Sequence, residues 1–189
     1  MRNKSLALTL LLGISFMSCT DKHIIPHAEK ESGEPLMQEF IGNTQIIMTD
    51  SGHTEWLLTT THMKKRQNDN KTIAIPVGFD YYDGKEKPQS HVAANYGETV
   101  GSNFEDFLVK GKVRVTSLKG YKLKAEDLHW NKRANKITSE GRVYFTTLQG
   151  DVLTGIGFAS DPDLENWQIL KDVTGVFQKF EKRMDKGGI

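Results

Sequence analysis

Gly111-Lys-Val-Arg-Val-Thr-Ser-Leu-Lys-Gly-Tyr-Lys-Leu123 is written again thirty residues later as Gly141-Arg-Val-Tyr-Phe-Thr-Thr-Leu-Gln-Gly-Asp-Val-Leu153. Gly111, Val113, Thr116, Leu118, Gly120 and Leu123 recur identically as Gly141, Val143, Thr146, Leu148, Gly150 and Leu153. Similar pairs extend the match: Val115 with Phe145, Ala125 with Gly155, Leu128 with Phe158. Spaced self-similarity of this kind marks a supersecondary unit that buries its apolar face by stacking on its neighbour.

The unit reads as a β-hairpin. Val113 and Val115 alternate with Lys112, Arg114 and Thr116, a period of two that puts one row inward and the other in water. Ser117-Leu118-Lys119-Gly120 supplies the turn, with glycine where a left-handed residue is needed. The return arm keeps Tyr121, Leu123 and Ala125 on one face, then Leu128 and Trp130 carry the apolar character with the phase slipped by one. The second copy slips at the matching place, from Leu153 and Gly155 to Ile156 and Phe158. A matched slip predicts a bulge that bends both strands, because without it the apolar set would turn to solvent. Bent, one-sided, repeated hairpins suggest a sheet curling over a groove; a closed barrel would leave similar traces.

The N-terminus reads as an address. Met1-Arg-Asn-Lys4 is basic, and the apolar run Leu6 to Met17 is too short for a bilayer, which takes roughly twenty residues. The run ends in Phe16-Met-Ser-Cys19, which resembles a lipobox, with Cys19 the residue to be acylated. Residues 1–18 are therefore expected to be a lipoprotein signal peptide, with an ordinary secretory signal and an incidental cysteine as the alternative; 19–40 are expected to be a flexible tether, 41–180 the folded domain and 181–189 a polar tail. Cys19 is the sole cysteine among 189 residues, which excludes a disulfide framework and a cysteine zinc site. The chain carries 25 basic and 24 acidic residues. Without Arg2 and Lys4 the balance is 23 to 24, which offers no basic field for nucleic acid.

In the domain, Trp56 to Thr61 is rich in strand formers and Met63 to Lys71 reads as a charged loop. Ile73 to Phe79 reads as a strand that Pro76 confines to an edge or bulge. Tyr82-Asp-Gly-Lys85 is a turn, His91 to Gly97 another strand, and Phe104 to Val109 leads into the repeat. After Asp161-Pro-Asp163, two strands are expected, at Trp167–Leu170 and from Val173 to Phe180. No stretch of ten residues has helical periodicity, so the fold is expected to be all-β.

The run Gly111-Lys-Val-Arg-Val, then Gly120-Tyr-Lys-Leu-Lys-Ala-Glu-Asp-Leu-His-Trp130, Ile137-Thr-Ser-Glu-Gly-Arg-Val143 and Thr154-Gly-Ile-Gly-Phe-Ala-Ser-Asp161 resembles a known family. It is similar to the periplasmic, membrane-anchored (LptC-like) component of the lipopolysaccharide export ABC transporter, in the lipoprotein version of Bacteroidetes. The likeness covers about Trp56 to Phe177. It implies a twisted, open β-jellyroll with no catalytic activity and no cofactor. It also implies that the chain takes lipopolysaccharide from the inner-membrane transporter and passes it to a periplasmic bridge protein of similar fold. Many members have a transmembrane helix where this chain has Cys19.

Moving an acyl chain of a dozen carbons into water costs on the order of 10 kcal/mol, at about 0.8 kcal/mol per methylene, so such a lipid has to travel along an apolar trough. Val113, Val115, Leu123, Ala125, Leu128, Val143, Phe145, Leu153 and Phe158 are the expected lining; each could equally fill a closed core. Val173, Thr174, Gly175, Val176 and Phe177 are the expected edge strand for the bridge protein, against an ordinary buried last strand. Asp161-Pro-Asp-Leu-Glu165 mimics the start of a calcium loop, but Asn166 stands where glycine is required, so a turn is expected. His53, His62, His91 and His129 have no ligand-set spacing, and no nucleophile elbow is present. Lys64-Lys65-Arg66 reads as a solvated loop, with contact to lipid phosphates as the minority alternative. The alternative functions are a lipoprotein that holds another hydrophobic ligand or protein without transport, and a secreted hydrolase.

Overall fold

The computed structural model describes residues 36–101 and 104–178. The signal peptide, Cys19, the tether up to residue 35 and the tail from 181 lie outside the described residues. Eleven strands form one antiparallel sheet: β1 Met37–Asp50, β2 His53–Arg66, β3 Lys71–Ala74, β4 Val77–Tyr81, β5 Ser90–Ala94, β6 Tyr96–Thr99, β7 Asp106–Ser117, β8 Lys122–Asn131, β9 Lys136–Thr146, β10 Val152–Ser160 and β11 Trp167–Val176. Among the described residues no helix is long and apolar enough to cross a membrane.

The topology is simpler than eleven strands suggest. β3 and β4 pair with successive stretches of β2, Met63 opposite Ala74 and Trp56 opposite Tyr81, in one unbroken register. β6 and β5 continue that register on the other side, Thr72 opposite Thr99 and Tyr81 opposite Ser90. Each of these two pairs is one strand interrupted once, so the sheet is a meander in which every strand lies beside its predecessor.

The interruptions share one level. β1 shifts register between Ile41 and Thr44, β3 gives way to β4 at Ile75-Pro76, and β5 to β6 at Asn95. β7 shifts between Lys110 and Val113, β8 between Ala125 and His129, and β10 between Thr154 and Phe158. Local chemistry explains the breaks. Pro76 has no N–H to give the ladder, and Thr60 Oγ1 accepts instead from Ile75 N at 3.1 Å. Gly111 takes a positive φ of 78°, which suits glycine, and its carbonyl accepts from Asn95 N at 2.9 Å.

The sheet doubles over along this line. The first layer holds β4, β5 and the adjoining stretches of β1, β2 and β7 to β11; the second holds β3, β6 and the other stretches. Phe79 of the first layer meets Trp130 of the second at 5.0 Å between ring centroids, and Phe145 meets Phe158 at 5.6 Å. Trp56, Phe145, Phe158, Leu123 and Val143 are wholly buried between the layers. The slips expected after Ala125 and Gly155 are where the bulges lie.

Two segments differ from expectation. Met63 to Arg66 belongs to β2 rather than a loop: Met63 points inward, while the charges opposite β1 are satisfied there, Lys64 pairing with Glu39 at 3.3 Å. Arg66 Nε donates to Asp69 across the short turn at 3.0 Å. The two strands expected after Asp163 are one, β11, which changes register near Asp172.

Gly155 tests the fold line. A Cβ there would lie 2.3 Å from Ile169 Cγ2 and 2.7 Å from the Lys171 carbonyl. Gly155→Ala should cost roughly 2 kcal/mol or more through overpacking, lowering the melting temperature by roughly 5–10 °C. At Gly141 the nearest atom is Asp127 Oδ1 at 3.4 Å, the end of a side chain that can give way, so Gly141→Ala should move it little. Thermal unfolding followed by circular dichroism compares the two.

Candidate functional site

The apolar interior between the layers is the candidate site. Strand alternation carries Val113, Val115, Leu123, Ala125, Val143, Phe145 and Leu153 to the inner face of the first layer, and Leu128 and Phe158 to that of the second. Leu123, Phe145 and Leu153 sit side by side in one cross-strand row. All nine predicted lining residues thus share the interior. Phe145 also stacks with Tyr121, and Trp167 lies 4.3 Å from it.

The expected set covers only part of that interior. A second aromatic cluster, Trp56, Phe79, Tyr81, Phe104, Phe107 and Trp130, occupies the half built by β2, β4, β7 and β8. The signal was present in the alternation Trp56/Leu58, Phe79/Tyr81 and Phe107/Val109, but these segments lie outside the repeat. The layers close tightly. Between them lies an apolar cavity of about 40 Å³ lined by residues that include Leu58, Phe79, Val115, Leu128 and Trp130.

Opposite the fold line, hairpin tips of the two layers meet. Lys119 in the β7–β8 turn pairs with Glu165 in the β10–β11 turn at 2.5 Å. Lys132 in the β8–β9 turn pairs with Glu55. Tyr81 Oη donates to Asp83 at 2.9 Å, with Asn135 Oδ1 at 3.3 Å, and burial first, then Asp83, raise the phenol above its ordinary pKa. The ion pairs here are partly exposed, a setting in which each contributes about 0–1 kcal/mol. This rim is held by weak ties while the apolar faces supply the cohesion.

Both terminal strands leave an outer edge unpaired within the sheet of described residues. On β1, Leu36 just before it and Ile41 are 74 % and 84 % exposed. On β11, burial ends at Ile169; Val173, Thr174, Gly175, Val176 and Phe177 are all exposed. The predicted edge segment therefore stands at the sheet's margin.

The remaining candidates are accounted for. Asp161 accepts from Glu165 N at 2.9 Å and Asn166 N at 3.1 Å, spending its carboxylate on the turn it belongs to. Among the described residues no cluster of His, Cys, Asp or Glu could hold a metal ion. His91 Nδ1 lies 2.6 Å from Asp80 and His129 Nε2 3.3 Å from Asp106, both on the surface.

Comparison with known proteins gives matches of two kinds, a family model and solved structures. The family model described as "Lipopolysaccharide-assembly, LptC-related" matches residues 6–178. Among solved structures the chain is similar to LptH of Pseudomonas aeruginosa, titled the LptA-homologous periplasmic component of the conserved lipopolysaccharide transport device. That match has 8 % identity, covers 76 % of this chain and 96 % of that one, and has a TM-score of 0.42. No curated protein matches significantly.

The rim turn carries a pH dependence. Partial burial and the neighbouring Asp161 push the Asp163 carboxyl up to about 6, while hydrogen bonds, among them those from Asp163 and Asn166, hold Asp161 low against the effect of its burial. A raised carboxyl binds its proton more tightly folded than unfolded, so the stability it lends is present at low pH and is lost as pH rises from about 4 through 6. Asp163→Asn removes the charge. The variant's gain in melting temperature over the parent should be larger at pH 7.5 than at pH 4.5, read in paired thermal melts.

Proposed function

Because the chain belongs to the LptC-related family of lipopolysaccharide-assembly proteins and so works in lipopolysaccharide transport, we propose that it is the periplasmic relay that receives lipopolysaccharide from the inner-membrane ABC transporter. Its acyl chains enter between the two layers, against Val113, Val115, Leu123, Ala125, Leu128, Val143, Phe145, Leu153 and Phe158. The exposed edge of β11 then pairs with the first strand of a soluble bridge protein of similar fold, extending the apolar interior from one molecule into the next. Cys19, acylated after removal of residues 1–18, holds the domain at the inner membrane. The work is transfer without covalent chemistry, so no catalytic group is assigned.

The single observation that carries this reading is a one-sided apolar face doubled over on itself in a sheet whose two terminal strands are, among the described residues, both uncovered. Strand addition at such an edge supplies main-chain hydrogen bonds to a partner. The nearly filled interior supports a specific way of loading. The layers part along the weakly tied rim, and each inner side chain exchanges side-chain neighbours for acyl methylenes. Apolar contact replaces apolar contact, so little of the roughly 25 cal/mol per Å² of burial is lost.

Two measurements test this. A photo-crosslinking residue at Leu128 or Phe145 should give lipopolysaccharide adducts in cells, whereas one at the outward Lys124 should not; adducts at none of the inner positions would overturn the acyl-chain path. Truncation after Asp172 should abolish capture of the bridge protein while leaving membrane anchoring intact, and undiminished capture would remove β11 from the handover.

A further inference from the structure

We infer that the interior selects acyl chains that carry an oxygen acceptor, through two buried donors, Thr99 Oγ1–H and Trp130 Nε1–H; this rests on the acyl-chain reading proposed above. Both residues line the cavity between the layers and are buried, at 3 % and 6 % exposure. Among the described residues no group pairs with either atom.

Their placement is set by the sheet. On the inner face of the second layer, Thr72, Thr99, Phe107, Trp130 and Ile137 form one cross-strand row. Adjacent strands lie about 4.8 Å apart, so Thr99 and Trp130, two strands removed with Phe107 between them, stand roughly 10 Å apart. A cross-strand row runs along the length of the interior, the direction an acyl chain would follow.

The lack of a partner is unusual within this molecule. Thr60 Oγ1 donates to the His62 carbonyl and accepts from Ile75 N. Ser117 Oγ accepts from Tyr121 N, Ser139 Oγ donates to Asp127 and Ser160 Oγ to Asp161. Those buried hydroxyls serve the fold; Thr99 does not. Valine has nearly the shape of threonine and would avoid the cost of a buried donor that nothing accepts. Hydrocarbon alone could not compensate that cost either, because methylenes accept nothing. An acyl chain bears acceptors where it is esterified or amidated and where it is hydroxylated, so these are the groups that the row can recognise.

The probes are tetradecanoic acid and 3-hydroxytetradecanoic acid, which share chain length and carboxylate, titrated into the purified full chain against a fluorescent fatty acid. The hydroxy acid should bind roughly three- to tenfold more tightly, the range for one net hydrogen bond. Thr99→Val should lower the ratio while leaving the melting temperature unchanged or raised, which loss of a merely structural threonine would not do; because one hydroxyl reaches only one of the two donors at a time, the ratio should fall to about one only when Thr99→Val and Trp130→Phe are combined. Trp130→Phe should also lower the ratio. Trp56 Nε1 is likewise unpartnered but Trp56 does not line the cavity, so Trp56→Phe should keep the parent ratio. Equal binding of the two acids by the parent, or a ratio that Thr99→Val leaves intact, would overturn the inference. Binding of neither acid would overturn the acyl-chain reading and this inference with it.

Discussion

The structure depends on one constraint, that every long strand bends at the same level. A flat meander with one apolar face would have to leave that face in water or find a second sheet. Here the proline at 76, the positive φ at Gly111 and the register shifts in β8 and β10 fall into a single line, so the sheet becomes its own partner. The extra residues at the bend also keep the phase right. Leu123 and Ala125 face inward before the bend in β8, and Leu128 and Trp130 after it; without that one-residue slip the second pair would face solvent.

This architecture distributes cohesion unevenly. The fold line is covalent and hydrogen-bonded, the interior is close-packed, and the opposite rim is joined by partly exposed ion pairs. A body built this way resists shear along its hinge and yields at its rim. It differs from a closed barrel, which has no free edge and must break a ladder of backbone hydrogen bonds to open. In this sheet no ladder crosses the rim, since Lys119–Glu165 and Lys132–Glu55 are side-chain contacts. A filled interior is thus compatible with an interior that admits lipid, provided that the entering molecule offers hydrocarbon in place of the side chains it displaces.

What was legible in the sequence follows from how local each signal is. The hairpins of β7 to β10 can be read because the same alternation and the same slip occur twice; Leu123, Leu128, Phe145 and Phe158 are buried as that pattern requires, whereas Ile156, at the slip itself, is only half-buried. The opposite half of the interior was not assembled, because Trp56, Phe79 and Phe107 meet only through pairings between distant strands. β1 was missed as a strand: its pattern from Met37 to Asp50 buries little, and its strand character comes from pairing with β2. The end of β2 reads as a loop in sequence for a related reason. Lys64 and Arg66 look solvated in sequence, and it takes Glu39 across the strand and Asp69 across the turn to make their backbone a ladder. The orphaned donors of Thr99 and Trp130 leave no trace in sequence at all.

The two margins of the sheet are the last consequence of the fold line. Doubling over hides the apolar face but cannot hide the edges, and an exposed edge invites pairing with other chains. β11 shows how that hazard is limited. Its first residues, Trp167 and Ile169, turn inward and anchor it against Phe145 and Phe158, while Lys171 and Asp172 place charge and a register shift at its middle. Beyond Asp172 comes a short, uncharged and solvent-exposed stretch, Val173-Thr-Gly-Val-Phe177. A strand so divided pairs poorly along its whole length with an arbitrary partner, yet offers a few consecutive backbone groups to one that fits. The fold that makes the interior self-sufficient thereby leaves a confined place through which it can be continued by another molecule.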